Sequence, residues 1–236
     1  MARQIKIWGH RGASGSAPEN TLAAFRLAYE QGADGVELDV QLTKDGRVVV
    51  IHDEEVSRTS NGQGMVRDFT LAQLKQLNFN KDQSPPAEIP ELAEVFSLLK
   101  HTGLVINVEL KTGLFRYEGI EEKVLAEARA WGVEDRVVYS SFNHYSAQKI
   151  KALDARARTA LLCGGGTYVT ARSCLAIGAE ALHVDLTGLR QEVTEDCRAN
   201  GVKLRVWTAN TAADFEAAAR AEADTIITNY PALAPM

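Results

Sequence analysis

A closed α/β barrel, with eight parallel strands each followed by a helix, is the architecture this sequence predicts, and three observations predict it. Apolar runs of strand length alternate along the chain with alanine- and leucine-rich runs of helical character. The length, 236 residues, suits one such barrel. Strand-like runs near the amino-terminal half also turn polar toward their carboxyl ends, which is where a barrel of this kind gathers its functional groups.

In chain order the strands fall at 5–9, 35–40, 104–110, 136–141, 158–162, 181–186, 202–208 and 225–228. Helices are expected at 21–31, 91–101, 119–131, 144–153, 169–177, 190–200 and 212–221, with Asn20 and Thr211 placed as N-caps. Only residues 230–236 follow the last strand, so any closing helix is very short. The interval 52–90 interrupts the alternation with a Ser/Gly/Asn cluster, the helical segment TLAQLKQLN and the polar loop KDQSPPAEIP. It reads as an elaborated second connection within one TIM-type (β/α)8 barrel spanning 1–236. Counting elements leaves an open doubly wound sheet as the alternative.

Composition narrows the function. The chain is 45% hydrophobic and 24% charged, with net charge −5 and pI near 5.6, and no long basic run, which argues against nucleic acid as a partner. No apolar stretch is long enough to span a bilayer and MARQIKIWGH lacks the apolar core of a leader, so a cytoplasmic protein without stable membrane insertion is expected. Cys163, Cys174 and Cys197 are odd in number and show no C-x-x-C spacing, which indicates neither a disulfide framework nor a zinc site.

The most informative stretch is DGVELDVQLTKDGRVVVIHD, residues 34–53. A strand's period of two turns Glu37 and Asp39 to one face and Val36, Leu38 and Val40 to the other. Asp45-Gly46 suits a two-residue hairpin turn, which sets Thr43 opposite Val48 and brings Asp39 across from His52, about 4.5–5.5 Å apart at Cβ. Two carboxylates and an imidazole on one surface suit a hard divalent cation beside an acid/base group. Taken alone, the stretch also reads as an edge hairpin with solvated charges.

In LVINVELK, residues 104–111, Asn107, Glu109 and Lys111 alternate with the apolar set. Inside a barrel Glu109 joins Glu37 and Asp39, and three crowded carboxylates repel one another unless a cation sits among them. Alone, Glu109 and Lys111 read equally as a strand-end ion pair. The first strand ends in Gly9-His10-Arg11-Gly12, placing a second imidazole at the mouth and a guanidinium fork suited to phosphate. The flanking glycines would admit a ligand to the backbone, although glycine is common at strand ends.

The segments HRGASGSAPENT, GADGVELDVQLTKDGRVVVIHD, RTSNGQG, INVELK, SFN, VWTAN and IITNYP together resemble, in that order, the glycerophosphodiester phosphodiesterase family over essentially the whole chain. The resemblance implies a TIM-type barrel that hydrolyses small-molecule glycerophosphodiesters to sn-glycerol 3-phosphate and an alcohol, using one divalent cation, Mg2+ or Ca2+. It implies metal ligands at Glu37, Asp39 and Glu109, acid/base histidines at His10 and His52, phosphate contacts at Arg11 and Lys111, and aromatic walls of a glycerol pocket at Phe142 and Trp207. The chain departs from the family pattern at Glu222, Thr225 and Asn229; the last stands where a carboxylate is common, so a role for that carboxylate is in doubt.

Weaker candidates are His101, His144, His183, which alternates with Asp185 on the sixth strand, and the Gly164–Thr167 turn, which lacks the Lys-Ser/Thr continuation of a phosphate loop. A lysophospholipase D-like enzyme is the alternative activity. It requires apolar residues around the mouth, and 52–90 offers no obvious cluster. A non-catalytic phosphate-binding barrel is a third reading, against which the pair of imidazoles argues.

Overall fold

The computed structural model describes residues 5–81, 83–164 and 169–234. Its strands are β1 (Lys6–His10), β2 (Gly35–Leu42), β3 (Val48–Val50), β4 (Val105–Leu110), β5 (Val137–Ser141), β6 (Arg158–Cys163), β7 (Ala181–Asp185), β8 (Lys203–Trp207) and β9 (Thr225–Thr228). All but β3 run parallel, in the order β1-β9-β8-β7-β6-β5-β4-β2, and β2 pairs again with β1. The ring is therefore a closed eight-stranded TIM-type barrel, not an open sheet. Strand β3 folds back antiparallel on β2 as an extra arm.

Around the ring lie α1 (Leu22–Glu30), α2 (Leu71–Leu74), α3 (Leu92–Leu99), α4 (Ile120–Trp131), α5 (His144–Leu153), α6 (Ala171–Ile177), α7 (Gln191–Ala199) and α8 (Ala212–Arg220). Strand parity explains the layering. Val36, Leu38 and Val40 point outward and pack with Phe25 and Ala28 of α1 and Val95, Phe96 and Leu99 of α3. Each of these buried Val, Leu and Phe side chains contributes about 1.5–3 kcal/mol. The inward positions near the amino ends hold Trp8, Val138, Ala160, Ala181 and Ile227, a small apolar plug. The inward positions near the carboxyl ends are left for polar groups.

Three local expectations change. Thr211 caps α8 as expected, but α1 is capped by Thr21, whose hydroxyl accepts from Ala24 N at 3.3 Å; Asn20 is instead drawn into the barrel. The β2–β3 register also differs by one residue, with Val40 opposite Val50 and Leu42 opposite Val48. Thr43 N donates to Arg47 O and Gly46 N to Thr43 O, so the loop has three residues and closes on Gly46 at φ 72°. Asp39 thus faces Ile51, not His52. Finally, TLAQLKQLN forms only the one-turn α2, capped by Thr70, and the connection holding it packs Val56, Val66, Leu74, Phe79 and Ile89 into a small core of its own. After β9 there is only a short turn, Pro231–Leu233.

Candidate active site

Strand register builds the site. Glu37 of β2 lies beside His10 of β1, and Asp39 lies beside Glu109 of β4. Oxygens of Glu37, Asp39 and Glu109 approach within 4.8 Å of one another, all three side chains being buried. Burial, and then the neighbouring carboxylates, push Glu37 well above the usual carboxylate range and Glu109 up to about 7. Asp39 behaves oppositely: burial resists its charge, but Arg11, His52 and Lys111 outweigh it and hold it below that range. Asp39 Oδ1 is buried without a hydrogen-bond partner. A hard, all-oxygen donor set with an orphaned carboxylate oxygen fits a cation such as Mg2+ or Ca2+.

Each imidazole is fixed through Nδ1. His10 Nδ1 lies 2.6 Å from Asn229 Oδ1, an oxygen that can only accept, so the ring donates there and leaves Nε2 with its lone pair, 4.0 Å from Glu37 Oε2. His52 Nδ1 likewise meets Asp53 Oδ1 at 2.5 Å, and its Nε2 accepts from Lys111 Nζ at 3.1 Å. Burial, followed by the Arg11 charge, lowers His10 to about 4, so it is neutral at ordinary pH. His52 reaches the site although the register differs, because Gln41 Nε2 holds the carbonyls of Ile51, His52 and Asp53 at 3.2, 2.9 and 2.8 Å. That side chain bends the chain inward just past β3.

Arg11 sits in left-handed backbone, φ 54°, which points its N–H at Glu37 Oε2, 2.9 Å away. Its guanidinium reaches Glu19 Oε1 at 2.9 Å and Asp39 Oδ2 at 3.4 Å. Lys111 Nζ donates to Glu109 Oε1 at 2.9 Å and stands 5.9 Å from the Phe142 ring centre. Phe142 and Trp207 meet edge to face at 5.7 Å on the cavity wall. The cavity, about 130 Å3, takes in His10, Arg11, Glu37, His52 and Glu109. The glycines beside His10 and Arg11 serve packing: a Cβ on Gly12 would come within 2.6 Å of Ala24 backbone, so they bring α1 in close.

Known proteins resemble this chain over nearly its whole length. The model of the glycerophosphoryl diester phosphodiesterase family matches residues 10–233. This chain belongs to that family. A glycerophosphodiester phosphodiesterase of Caldanaerobacter subterraneus subsp. tengcongensis is 44% identical over 228 residues, covering 95% of this chain and 94% of that protein. An Oleispira antarctica phosphodiesterase, solved with its product sn-glycerol-3-phosphate, superposes with a TM-score of 0.85 at 29% identity, covering 96% of this chain and 94% of that one. A glycerophosphodiester phosphodiesterase of Thermotoga maritima gives a TM-score of 0.80 at 30% identity over 98% and 96% of the two chains.

All nine residues to which the family resemblance assigns a role stand at this mouth. Residues to which the sequence gave no place in the site also stand here: Glu19, Asn20, Asp53, Arg58 and Asn229. Asn20 Nδ2 donates to Asp39 Oδ2 at 2.9 Å. Asn229, noted as a departure, orients His10 through its carbonyl, an acceptor's task that needs no negative charge. His144 Nε2 contacts Leu162 O and His101 is exposed, and neither lines the cavity. The turn at Gly165–Thr167 lies outside the described residues. The apolar rim missing from 52–90 is present elsewhere: Leu114 and Phe142, on connections leaving β4 and β5, and Tyr145, in the first turn of α5, are all exposed. Among the described residues no helix is long and apolar enough to cross a membrane.

Proposed function

We propose that this family member hydrolyses glycerophosphodiesters to sn-glycerol 3-phosphate and an alcohol, with Glu37, Asp39 and Glu109 as ligands of one Mg2+ or Ca2+ ion. The observation that carries the reading is that two imidazoles, each with Nδ1 committed to an acceptor, are left with Nε2 beside a converging carboxylate triad. A bound divalent ion supplies charge neutralisation at the phosphoryl oxygens. Arg11 and Lys111 hold the remaining phosphate oxygens and offset the charge that builds in the five-coordinate transition state. His10, held neutral, takes the proton of the attacking oxygen, whether water or the neighbouring glycerol hydroxyl. As the new O–P bond forms, the bond to the alcohol breaks and that oxygen takes the Nε2 proton of His52 in its doubly protonated form, Nδ1–H staying on Asp53; afterwards His10 gives its proton to solvent and His52 regains one from it. Each transfer is worth about 10² to 10⁴ in rate. Phe142 and Trp207 shield the glycerol end.

Purified protein is incubated with several glycerophosphodiesters, with and without chelator, and glycerol 3-phosphate is measured. Cation-dependent release is expected; no release from any of them in the presence of Mg2+ or Ca2+ refutes the reading. The exposed rim of Leu114, Phe142 and Tyr145 favours one second reading, a lysophospholipase D-like preference for an alcohol bearing an acyl chain. Lysophospholipids in the same assay separate the two.

A further inference from the structure

The inner end of the cavity holds two polar atoms with no partner in the protein. His183 Nδ1 and Asn107 Oδ1 are buried and make no hydrogen bond, and both residues line the cavity. Asn107 precedes Glu109 by two positions on β4, one layer deeper on the same inner face. His183 of β7 lies at the depth of Trp8, whose ring it meets edge-on at 6.3 Å.

The surroundings of His183 fix which atom carries its proton. Arg205 Nη1 lies 3.0 Å from Nε2, and a guanidinium can only donate, so Nε2 accepts and the ring proton sits on Nδ1. Arg205 is itself fixed, with Nη2 donating to Glu180 Oε1 at 2.5 Å and its guanidinium over the Trp8 ring at 4.6 Å. Burial, then the Arg205 charge, keeps the imidazole neutral. On the other side, Asn107 Nδ2 donates to Ser140 Oγ at 3.0 Å, which leaves Oδ1 to accept. One fixed donor and one fixed acceptor thus stand among the apolar side chains of Leu162 and Ile227. An unmet buried polar atom is a standing cost that a fitting ligand removes. A polyol offers what both atoms lack, hydroxyls that accept and donate.

We propose that His183 Nδ1–H and Asn107 Oδ1 bind the hydroxyls of the glycerol moiety and so select glycerol phosphodiesters over plain alkyl ones. The inference rests on the reading of the site as a glycerophosphodiesterase. Its test is binding, which can fail separately from turnover: Kd by calorimetry, with Mg2+ or Ca2+ present, for glycerol 3-phosphate and for propyl phosphate. The wild type is expected to prefer glycerol 3-phosphate about tenfold or more. In His183→Met, whose thioether offers Arg205 a weak acceptor and has no donor, most of that preference should vanish while propyl phosphate binds as before. A preference unchanged in that variant, or absent from the wild type, overturns the inference even if glycerol 3-phosphate is released in turnover. Should the variant fail to fold, the Nδ1–H proton resonance of His183 in wild-type protein decides. It should move on adding glycerol 3-phosphate and stay put with propyl phosphate, and a resonance indifferent to both overturns the proposal.

Discussion

Arg58 grips Glu19 at two points, Nη1 to Oε2 at 2.8 Å and Nη2 to Oε1 at 2.7 Å. The same Glu19 Oε1 takes Arg11 Nη1, and Arg58 Nε donates to Asp53, whose other oxygen holds His52 Nδ1. One planar fork therefore ties the arginine from the first strand's end to the histidine after β3. A bidentate carboxylate contact with a third donor free for another partner is something guanidinium offers and ammonium does not.

Arg58→Lys is accordingly expected to lower kcat/KM about tenfold to hundredfold, as loss of groups that orient a site usually does. The fold should survive, since the Arg58 side chain is about half exposed (47%). Steady-state kinetics alongside a thermal melt checks this, and a variant within about twofold of wild type would show that the fork is not needed.

Much of this site could be read in the sequence because strand parity is a two-state matter. Glu37, Asp39, Glu109 and His10 follow from alternation once the barrel is granted. His52 also lies at the mouth, but not through the expected pairing with Asp39, because Gly46 closes a three-residue loop that shifts the register by one and Gln41 then redirects the chain. Glu19, Asn20 and Arg58 lie in motifs that carry the family resemblance, yet the contacts Asn20–Asp39 and Glu19–Arg58 join residues 19 and 39 apart in sequence, a distance no local pattern encodes. Asn229 was visible only as a departure from the family, and its use depends on β9 lying next to β1.

The two histidines are given different tasks, and the leaving group separates them. An alkoxide must be protonated as it departs, whereas p-nitrophenolate leaves without help. Replacing His52 with Ala should therefore cost about 10² to 10⁴ on a choline or ethanolamine ester and much less on a p-nitrophenyl phosphodiester. Replacing His10 with Ala should cost a similar factor on both. The reverse pattern would exchange the roles.

Glu37 offers a clean test of the cation. Its carboxyl is pushed up by burial, Asp39 and Glu109, so without metal its charge is disfavoured, and Gln, close to it in shape, keeps an oxygen for Arg11 N. Glu37→Gln should melt within about 2 °C of wild type in chelator, a shift of no more than about 0.5–1 kcal/mol. Adding Mg2+ or Ca2+ should then raise the wild-type melting temperature and leave the variant unmoved. Cation binding should tighten as pH rises, since the ligand gives up a proton. Equal stabilisation of both proteins by the ion would rule out Glu37 as a ligand.

At the opposite end of the barrel Glu180 gathers Arg158, Lys203 and the buried Arg205 at 3.0, 3.2 and 2.5 Å. Burial resists its charge, but the hydrogen bond from Arg158 and the charge of Arg205 outweigh it and depress the carboxyl to about 2. A folded-state value below the unfolded one means stability that is complete above the unfolded pKa and drains away as pH falls toward the folded one. Allowing for the exposed part of the side chain, the contribution is on the order of 2 kcal/mol. Glu180→Gln should thus be less stable than wild type near pH 7 by about that amount, and the gap should narrow by roughly half by about pH 3, where Glu180 is partly protonated in the unfolded chain's favour. Denaturant unfolding of both proteins across that range tests it. A gap independent of pH would mean that the carboxylate's charge does not hold Arg205, and that shape and hydrogen bonding alone keep the guanidinium in the barrel.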